Sequence, residues 1–336
     1  PLPSRSVGLG SRAWLEEEMA VQRMACSLSL FLLLSLVQPL GGQVRIGHRW
    51  TANRPDAQGP ASVSEDRTLP AGEVQVAVKY SHRQLSGQGD GTDSLALGWV
   101  LGLYDVAPSR MLTQGLSVDL LVGVSPQLTV AASAAFSRKT LDNLTRLDDQ
   151  PGGVFLFQSK VSGLQDVRVS ALYSVHDRGP SRVHVHGGVS VPVGAIDRVA
   201  VTPVSDDAPA QLPYVLQLGS GTFDLLPGLT FSIQNEKASL GVQAKGTIRL
   251  GENDRGWTMG DVVEGSLWAG YHQSRWVSAS LGAAFCTWGN VRGYDRALDP
   301  DESPAHNPLA QGGRRVLLPV GINIVMPPGR FGGNRF

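Results

Sequence analysis

The sequence lacks the features that identify several classes of protein. It contains 2 cysteines, Cys26 and Cys286. Because Cys26 lies in a segment that is expected to be removed, neither a disulfide nor a cysteine-rich metal site is predicted. The 29 basic residues balance 29 acidic ones, which gives no electrostatic argument for nucleic-acid binding. The apolar run at 26–37 is too short for a membrane helix, which needs about 20 apolar residues.

Apolar and polar residues instead alternate through segments of about ten residues. The clearest segment is 239–250, in which Leu240, Val242 and Ile248 share one face of a strand while Gln243 and Lys245 share the other. One face suits lipid and the other suits water. Such strands are stable in a bilayer only when they close into a barrel, because every backbone hydrogen bond must be satisfied internally. The alternation therefore predicts an antiparallel transmembrane β-barrel whose polar face lines a lumen.

The connections between segments are alternately short and long, which predicts the orientation of the barrel. Ten segments are predicted as strands: 73–80, 116–122, 128–136, 167–175, 182–191, 229–233, 239–250, 261–273, 277–285 and 316–326. Short turns are expected at 124–127, 176–181, 235–238 and 274–275, and long loops at 84–112, 139–160, 194–227 and 289–313. Bacterial barrels place short turns in the periplasm and long loops outside. Apart from the modest loop at 251–260, the lengths follow this rule.

The termini predict localisation and domain organisation. Residues 19–42 read as a signal peptide, with Arg23 before the apolar run, and residues 1–18 as translated upstream sequence. Residues 43–72 are polar and proline-rich, and we expect a flexible periplasmic lead-in. Residues 73–336 form the predicted barrel, which stops where a return strand would begin, so about twelve strands are expected when it is complete. The expected location is the bacterial outer membrane, with membrane lipid and the barrel-assembly machinery as partners.

Several stretches carry a family resemblance. The sequence resembles the outer-membrane transporters grouped as the MetA-pathway of phenol degradation family at 163–173 (GLQDVRVSALY), 187–194 (GGVSVPVG), 212–229 (LPYVLQLGSGTFDLLPGL), 244–253 (AKGTIRLGEN) and 312–321 (GGRRVLLPVG). The resemblance implies a channel or transporter for small, hydrophobic or aromatic solutes. A non-conducting structural or adhesive barrel is the alternative, and an occluded lumen would favour it.

Charged and aromatic residues on the polar face of the predicted strands are candidate lumen or constriction residues. They are Asp166, Arg168, Lys245, Arg249, Glu264, Trp268 and Trp288. A basic residue facing lipid at mid-depth would cost about 2 to 4 kcal/mol, which places these charges inside. Two interpretations remain open for the charges: an ion-pair ladder that closes the pore, or a charged wall that selects solutes. The tryptophans either offer a flat surface to an aromatic solute or simply pack.

Three histidines are weak candidates for a metal site. His184 and His186 project from the same face of one strand, and His272 could complete a set. We prefer the interpretation that they are polar lumen residues without a metal, because no cysteine or carboxylate has ligand spacing beside them. No serine lies in a recognisable nucleophile context, so no catalytic residue and no cofactor are predicted.

Overall fold

The computed structural model describes residues 49–90, 93–146 and 153–326, and the fold is given for these residues. The predicted upstream sequence at 1–18, the signal peptide at 19–42 and the first residues of the lead-in lie outside the described part of the chain. The C-terminal residues 327–336, on which the expectation of further strands rests, also lie outside it.

The described residues contain ten antiparallel barrel strands, which confirms the predicted fold class. The strands are β1 (Val74–Ser86), β2 (Val106–Gly123), β3 (Leu128–Thr145), β4 (Phe155–Leu164 and Val167–Arg178), β5 (Ser181–Val191), β6 (Phe223–Leu225 and Gly228–Gln234), β7 (Ala238–Leu250), β8 (Val262–His272), β9 (Val277–Trp288) and β10 (Gly313–Leu317 and Val320–Ile324). Each strand pairs with the next one along the chain, as in an up-and-down barrel.

Three of the strands are interrupted. The breaks in β6 and β10 contain Pro227 and Pro319, which have no N–H group to donate to the neighbouring strand. Their carbonyl groups still accept hydrogen bonds from Gly246 and Gly282, at 2.8 and 2.9 Å. Within the described residues no backbone ladder joins β1 to β10, and the total of twelve strands stays a prediction.

The barrel wall has its apolar side outside and its polar side inside. On β7, Leu240 and Ile248 are 42% and 44% exposed, whereas Ser239 and Gln243 are 3% and 4% exposed. The same inversion runs along β9, where Leu281 is exposed next to buried serines. Soluble proteins bury the apolar phase of a strand, so this arrangement is that of a membrane barrel.

Strands β2 and β3 extend further than the sequence predicts. Residues 106–112 and 139–145 were expected in long loops, but they form paired strands. The expectation failed because the two faces exchange polarity there. Leu141 of β3 and Val161 of β4 are apolar, buried and on the inner face, while Arg138 is exposed. A wall that continues beyond the lipid no longer needs an apolar exterior.

Small elements lie in the connections. Three two-stranded pairs are formed by Gln88–Asp90 with Asp93–Leu95, Val199–Ala200 with Ala210–Gln211, and Trp257–Thr258 with Arg292–Gly293. Among the described residues, the helical segments are one α-helix at Leu97–Val100 and 3-10 turns at Pro55–Ala57, Tyr214–Leu216 and Pro308–Ala310. No helix in the described ranges has the length and apolar character to cross a membrane.

The connections at the long-loop end pack into an apolar layer, which we call the cap and define as residues 192–222, 251–261 and 289–312. One cluster joins Leu212, Leu216 and Leu218 to the inner-face residues Leu141 and Val161. A second cluster, formed by Tyr214, Trp257, Val291 and Leu298, lies within the cap. The cap therefore folds inward over β3 and β4.

Candidate functional site

Residues 49–72, expected to be a flexible lead-in, are instead bound to the inner face of the wall, and we call them the plug. The Thr51 N–H donates to Gln234 Oε1 at 2.7 Å, and the Leu69 N–H donates to Thr129 Oγ1 at 2.8 Å. The sequence could not show this, because the partners are polar side chains far away in the chain. The plug enters from the short-turn end, where the Trp50 N–H donates to the carbonyl of Gly179 at 2.9 Å.

Glu65 of the plug contacts both β5 and β7. Its carboxylate accepts a hydrogen bond from Lys245 Nζ at 3.0 Å, and His186 Nε2 lies 3.9 Å from the same oxygen. Its carbonyl oxygen accepts from His184 Nε2 at 3.0 Å and from Gln243 Nε2 at 3.3 Å. Strands β5 and β7 thus meet the plug at one residue.

The charge and backbone of Glu65 are both unusual. Burial acts to raise the pKa of its carboxyl, but Lys245, Ser170 and His186 together outweigh burial and lower that pKa below its ordinary value. The carboxylate is therefore ionised at neutral pH. Its backbone has φ of 59°, a left-handed conformation that is uncommon for a residue other than glycine, asparagine or aspartate. The surrounding contacts must hold this conformation in place.

The rest of the plug packs closely against the wall. Asp56 is 1% exposed, pairs with Arg54 inside the plug, and its carbonyl accepts from the Ser239 hydroxyl. The ring of Trp268 lies against Gly241, where a Cβ atom would stand 2.1 Å from the ring, and it also reaches Gly59 of the plug. Trp268, predicted to line the lumen, therefore lies inside the barrel as a packing surface between wall and plug.

A cavity of about 100 Å³ lies beside the plug in the lumen. Three of the predicted charges, Arg168, Lys245 and Glu264, line it. Lys79 and Asp119, which the sequence analysis did not select, also line it and pair at 3.0 Å. The lumen therefore contains both paired charges and the guanidinium of Arg168, and the two interpretations of a ladder and a selective wall remain open.

The other predicted lumen residues, Asp166, Arg249 and Trp288, hold the cap. Asp166 accepts hydrogen bonds from the Gly194 N–H at 2.9 Å and from the Ser220 N–H and hydroxyl at 2.8 and 2.9 Å. Arg249 of β7 pairs at 2.5 Å with Asp224 of β6, whose carboxylate also accepts a hydrogen bond from the Thr222 hydroxyl of the cap at 2.8 Å. Trp288 donates its indole N–H to the carbonyl of Gln311 at 2.7 Å. These residues anchor the loops to the wall and do not line the lumen cavity.

The three candidate histidines do not meet. His184 and His186 have ring centroids 6.2 Å apart and face Glu65, whereas His272 lies 3.7 Å from Asp56. In the described part of the chain, no group of three or more His, Cys, Asp or Glu side chains is arranged to hold a metal ion. Cys286 is a free thiol.

A second cavity, of about 180 Å³, lies at the long-loop end and was not predicted. A register shift between Pro108 and Arg110 of β2 helps to shape it. Its apolar lining includes Leu85, Met111, Leu141, Val215, Pro304 and Ala305. The polar side chains at its rim already have partners, since Arg110 binds Asp142 at 2.7 Å and the Gln311 amide donates to three backbone carbonyls. The cavity therefore offers apolar contacts.

Comparison with known proteins gives the fold independent support. No protein-family model and no curated protein matches this sequence. Among solved structures, the chain is similar to an outer-membrane channel from Pseudomonas putida F1, at 12% identity and a TM-score of 0.52, over 79% of this chain and 87% of that one. A weaker likeness is to the toluene transporter TodX of Pseudomonas putida, at 12% identity and a TM-score of 0.34, over 63% of this chain and 65% of that one. Another is to the protease OmpT of Escherichia coli, at 11% identity and a TM-score of 0.28, over 74% of this chain and 94% of that one. The chain thus has the fold of a bacterial outer-membrane β-barrel.

Proposed function

We propose that this protein is an outer-membrane channel for small solutes. The observation that carries the proposal is the inverted wall: exposed Leu240 and Leu281 present an apolar surface to lipid, and buried polar residues such as Gln243 face inward. A polar lumen provides a path for solutes that the apolar exterior does not. The likeness in fold to an outer-membrane channel from Pseudomonas putida F1 supports the same function.

We further propose that hydrophobic or aromatic solutes are among those carried. The cavity at the long-loop end supports this, because its apolar volume of about 180 Å³ is comparable to the cavity of about 150 Å³ that binds benzene in an engineered protein. The resemblance to the family of phenol-degradation transporters implies the same class of solute.

The second candidate is a non-conducting structural or adhesive barrel, and the plug is the observation in its favour. A catalytic role has less support. His176 Nε2 lies 3.1 Å from the Ser181 hydroxyl at an exposed turn, but within the described residues His176 donates no hydrogen bond to a carboxylate that would orient it as in a catalytic triad.

Single-channel recording in planar bilayers tests the proposal, with aromatic compounds such as phenol and toluene added as competing solutes. A channel gives discrete current steps that those compounds reduce. Val215→Trp, which fills the apolar cavity, should weaken that reduction, while Val199→Trp at an exposed position in the same loop should not. A folded barrel that never conducts, with the plug in place or released, would favour the structural alternative.

A further inference from the structure

We propose that the plug is a displaceable gate and that Glu65 is its latch. This inference rests on the proposed channel function, since a gate has meaning only where something passes. It concerns one segment of the chain, residues 49–72, and its contacts with strands β5 and β7.

The wall does not depend on the plug for its hydrogen bonding. Each barrel strand pairs with its neighbours, and no residue of the plug belongs to the sheet. The plug joins the barrel just before β1, where the Gly72 N–H donates to the carbonyl of Gly123 and the Gly123 N–H donates to that of Glu73, both at 2.8 Å. The segment can therefore leave the lumen as a unit while this attachment holds.

The contacts between plug and wall are of a kind that water can replace. Most are single hydrogen bonds between neutral groups, such as those from Gln243 to the carbonyl of Ser64 and from Asn323 to the carbonyl of Pro55. Such bonds contribute little net free energy, because both groups regain partners in water. The plug also makes apolar contacts: Leu69 packs in a cluster with Leu121, Ala131 and Leu172 next to the attachment, and Gly59 lies against the ring of Trp268.

Glu65 differs from these contacts in three ways. It forms an ion pair with the wall, through Lys245 at 3.0 Å. Its carbonyl receives hydrogen bonds from two strands, and its backbone is held at a left-handed φ of 59°. A conformation of this kind persists only where its surroundings impose it. Loss of the ion pair should let the backbone relax and the plug leave.

The test measures access to the wall beneath the plug in the full chain. Ser278 is fully buried on the inner face of β9, and its ladder partner Asn323 binds the plug, so Ser278→Cys in a Cys286→Ser background reports release. We expect Glu65→Gln to accelerate labelling at position 278 by a water-soluble maleimide about tenfold, equivalent to about 1.4 kcal/mol. Glu236→Gln, the same change at an exposed turn, should leave the rate unchanged.

Lys245→Gln removes the same ion pair from the wall side and should accelerate labelling to a similar extent. Equal labelling rates in Glu65→Gln, Lys245→Gln and Glu236→Gln, each with the barrel folded, would overturn the latch. Conductance separates this proposal from the channel function. Faster labelling with no current would uphold the displaceable plug and reject the channel, while current without faster labelling would reject the latch alone.

Discussion

The plug and the cap lie toward opposite ends of the barrel and differ in the chemistry of their contacts. The plug binds the wall mainly through hydrogen bonds and the ion pair of Glu65. The cap buries apolar side chains, among them Leu216 and Trp257, which are fully buried. Tyr214 and Trp257 pack edge to face with centroids 5.1 Å apart.

This difference separates the roles of the two ends. Polar groups that leave a protein partner regain hydrogen bonds in water, so their separation costs little. Exposing apolar surface to water costs about 25 cal/mol of free energy for each Å². We therefore expect the cap to keep its shape and define the entrance, while the plug moves.

The first prediction concerns the sides of the membrane and is an all-or-none effect. The long-loop end should face outward, so a protease site inserted between Asp299 and Asp301 of the cap should be cleaved on intact cells. The same insertion beside Ser274, at the end where the plug enters, should be protected until the outer membrane is permeabilised. The opposite pattern would place the plug outside and overturn the orientation.

The second prediction concerns the apolar cap. Trp257→Ala removes a fully buried side chain and should destabilise the cap by about 3 to 5 kcal/mol. Limited proteolysis within 251–261 and 289–312 should accelerate strongly, while the barrel remains folded. Tyr294→Ala, at a residue of the cap that is 61% exposed, should change little. Similar proteolysis of both variants would mean that the cluster does not hold the cap.

The barrel wall could be predicted from sequence because lipid and lumen impose opposite polarity on alternate residues. All ten predicted segments contain strands, and Lys245 on the polar phase of β7 does face inward. The prediction failed at β3 beyond residue 136, where Leu141 turns inward and the pattern reverses. Outside the membrane there is no single solvent on each face to enforce the rule.

The plug and the roles of individual charges could not be predicted in the same way. Glu65 is one acidic residue in a polar segment, and its importance comes from Lys245, 180 residues later in the chain. Asp166 was expected to face the pore, but it binds backbone N–H groups of a loop, which no side-chain pattern records. Contacts of this kind join residues that are distant in the sequence, so they depend on the tertiary fold.

The third prediction uses pH to distinguish the behaviour of the plug from that of the cap. The lowered pKa of Glu65 means that its contribution to the closed state is present above the ordinary value of 4.5 and is lost as the pH falls through the lowered value. The groups facing its carboxyl and carbonyl are Lys245, His184, His186, Ser170 and the neighbouring Asp66. Protonation of Glu65 leaves Lys245 without its ion-pair partner, which favours release of the plug.

Channel opening should therefore increase below pH 4.5 in the unmodified chain and much less in Glu65→Gln, as measured by open probability in bilayers. The carboxyl of Asp295 in the cap also has a lowered pKa, because hydrogen bonds from Arg255 and the Ala297 N–H outweigh the effect of burial. Protonation of this carboxyl in acid removes its negative charge but should leave the apolar cluster in place. Proteolysis of the cap should therefore change little. A response confined to pH values above 4.5 would contradict the assignment of the gate to Glu65.

The last prediction isolates the backbone of the latch. Glu65→Ala and Glu65→Gly both remove the ion pair with Lys245, but they differ at a φ of 59°, which glycine adopts freely and alanine does not. The left-handed conformation costs a residue with a Cβ atom about 1 to 2 kcal/mol. Part of this advantage is offset because glycine gains more freedom when the plug is released. Glu65→Ala should therefore be labelled at position 278 about fivefold faster than Glu65→Gly, a difference of about 1 kcal/mol. The same pair of changes at Glu73, which is not in the left-handed region, should not favour the glycine variant. Equal rates for the two variants at residue 65 would show that the ion pair alone holds the plug.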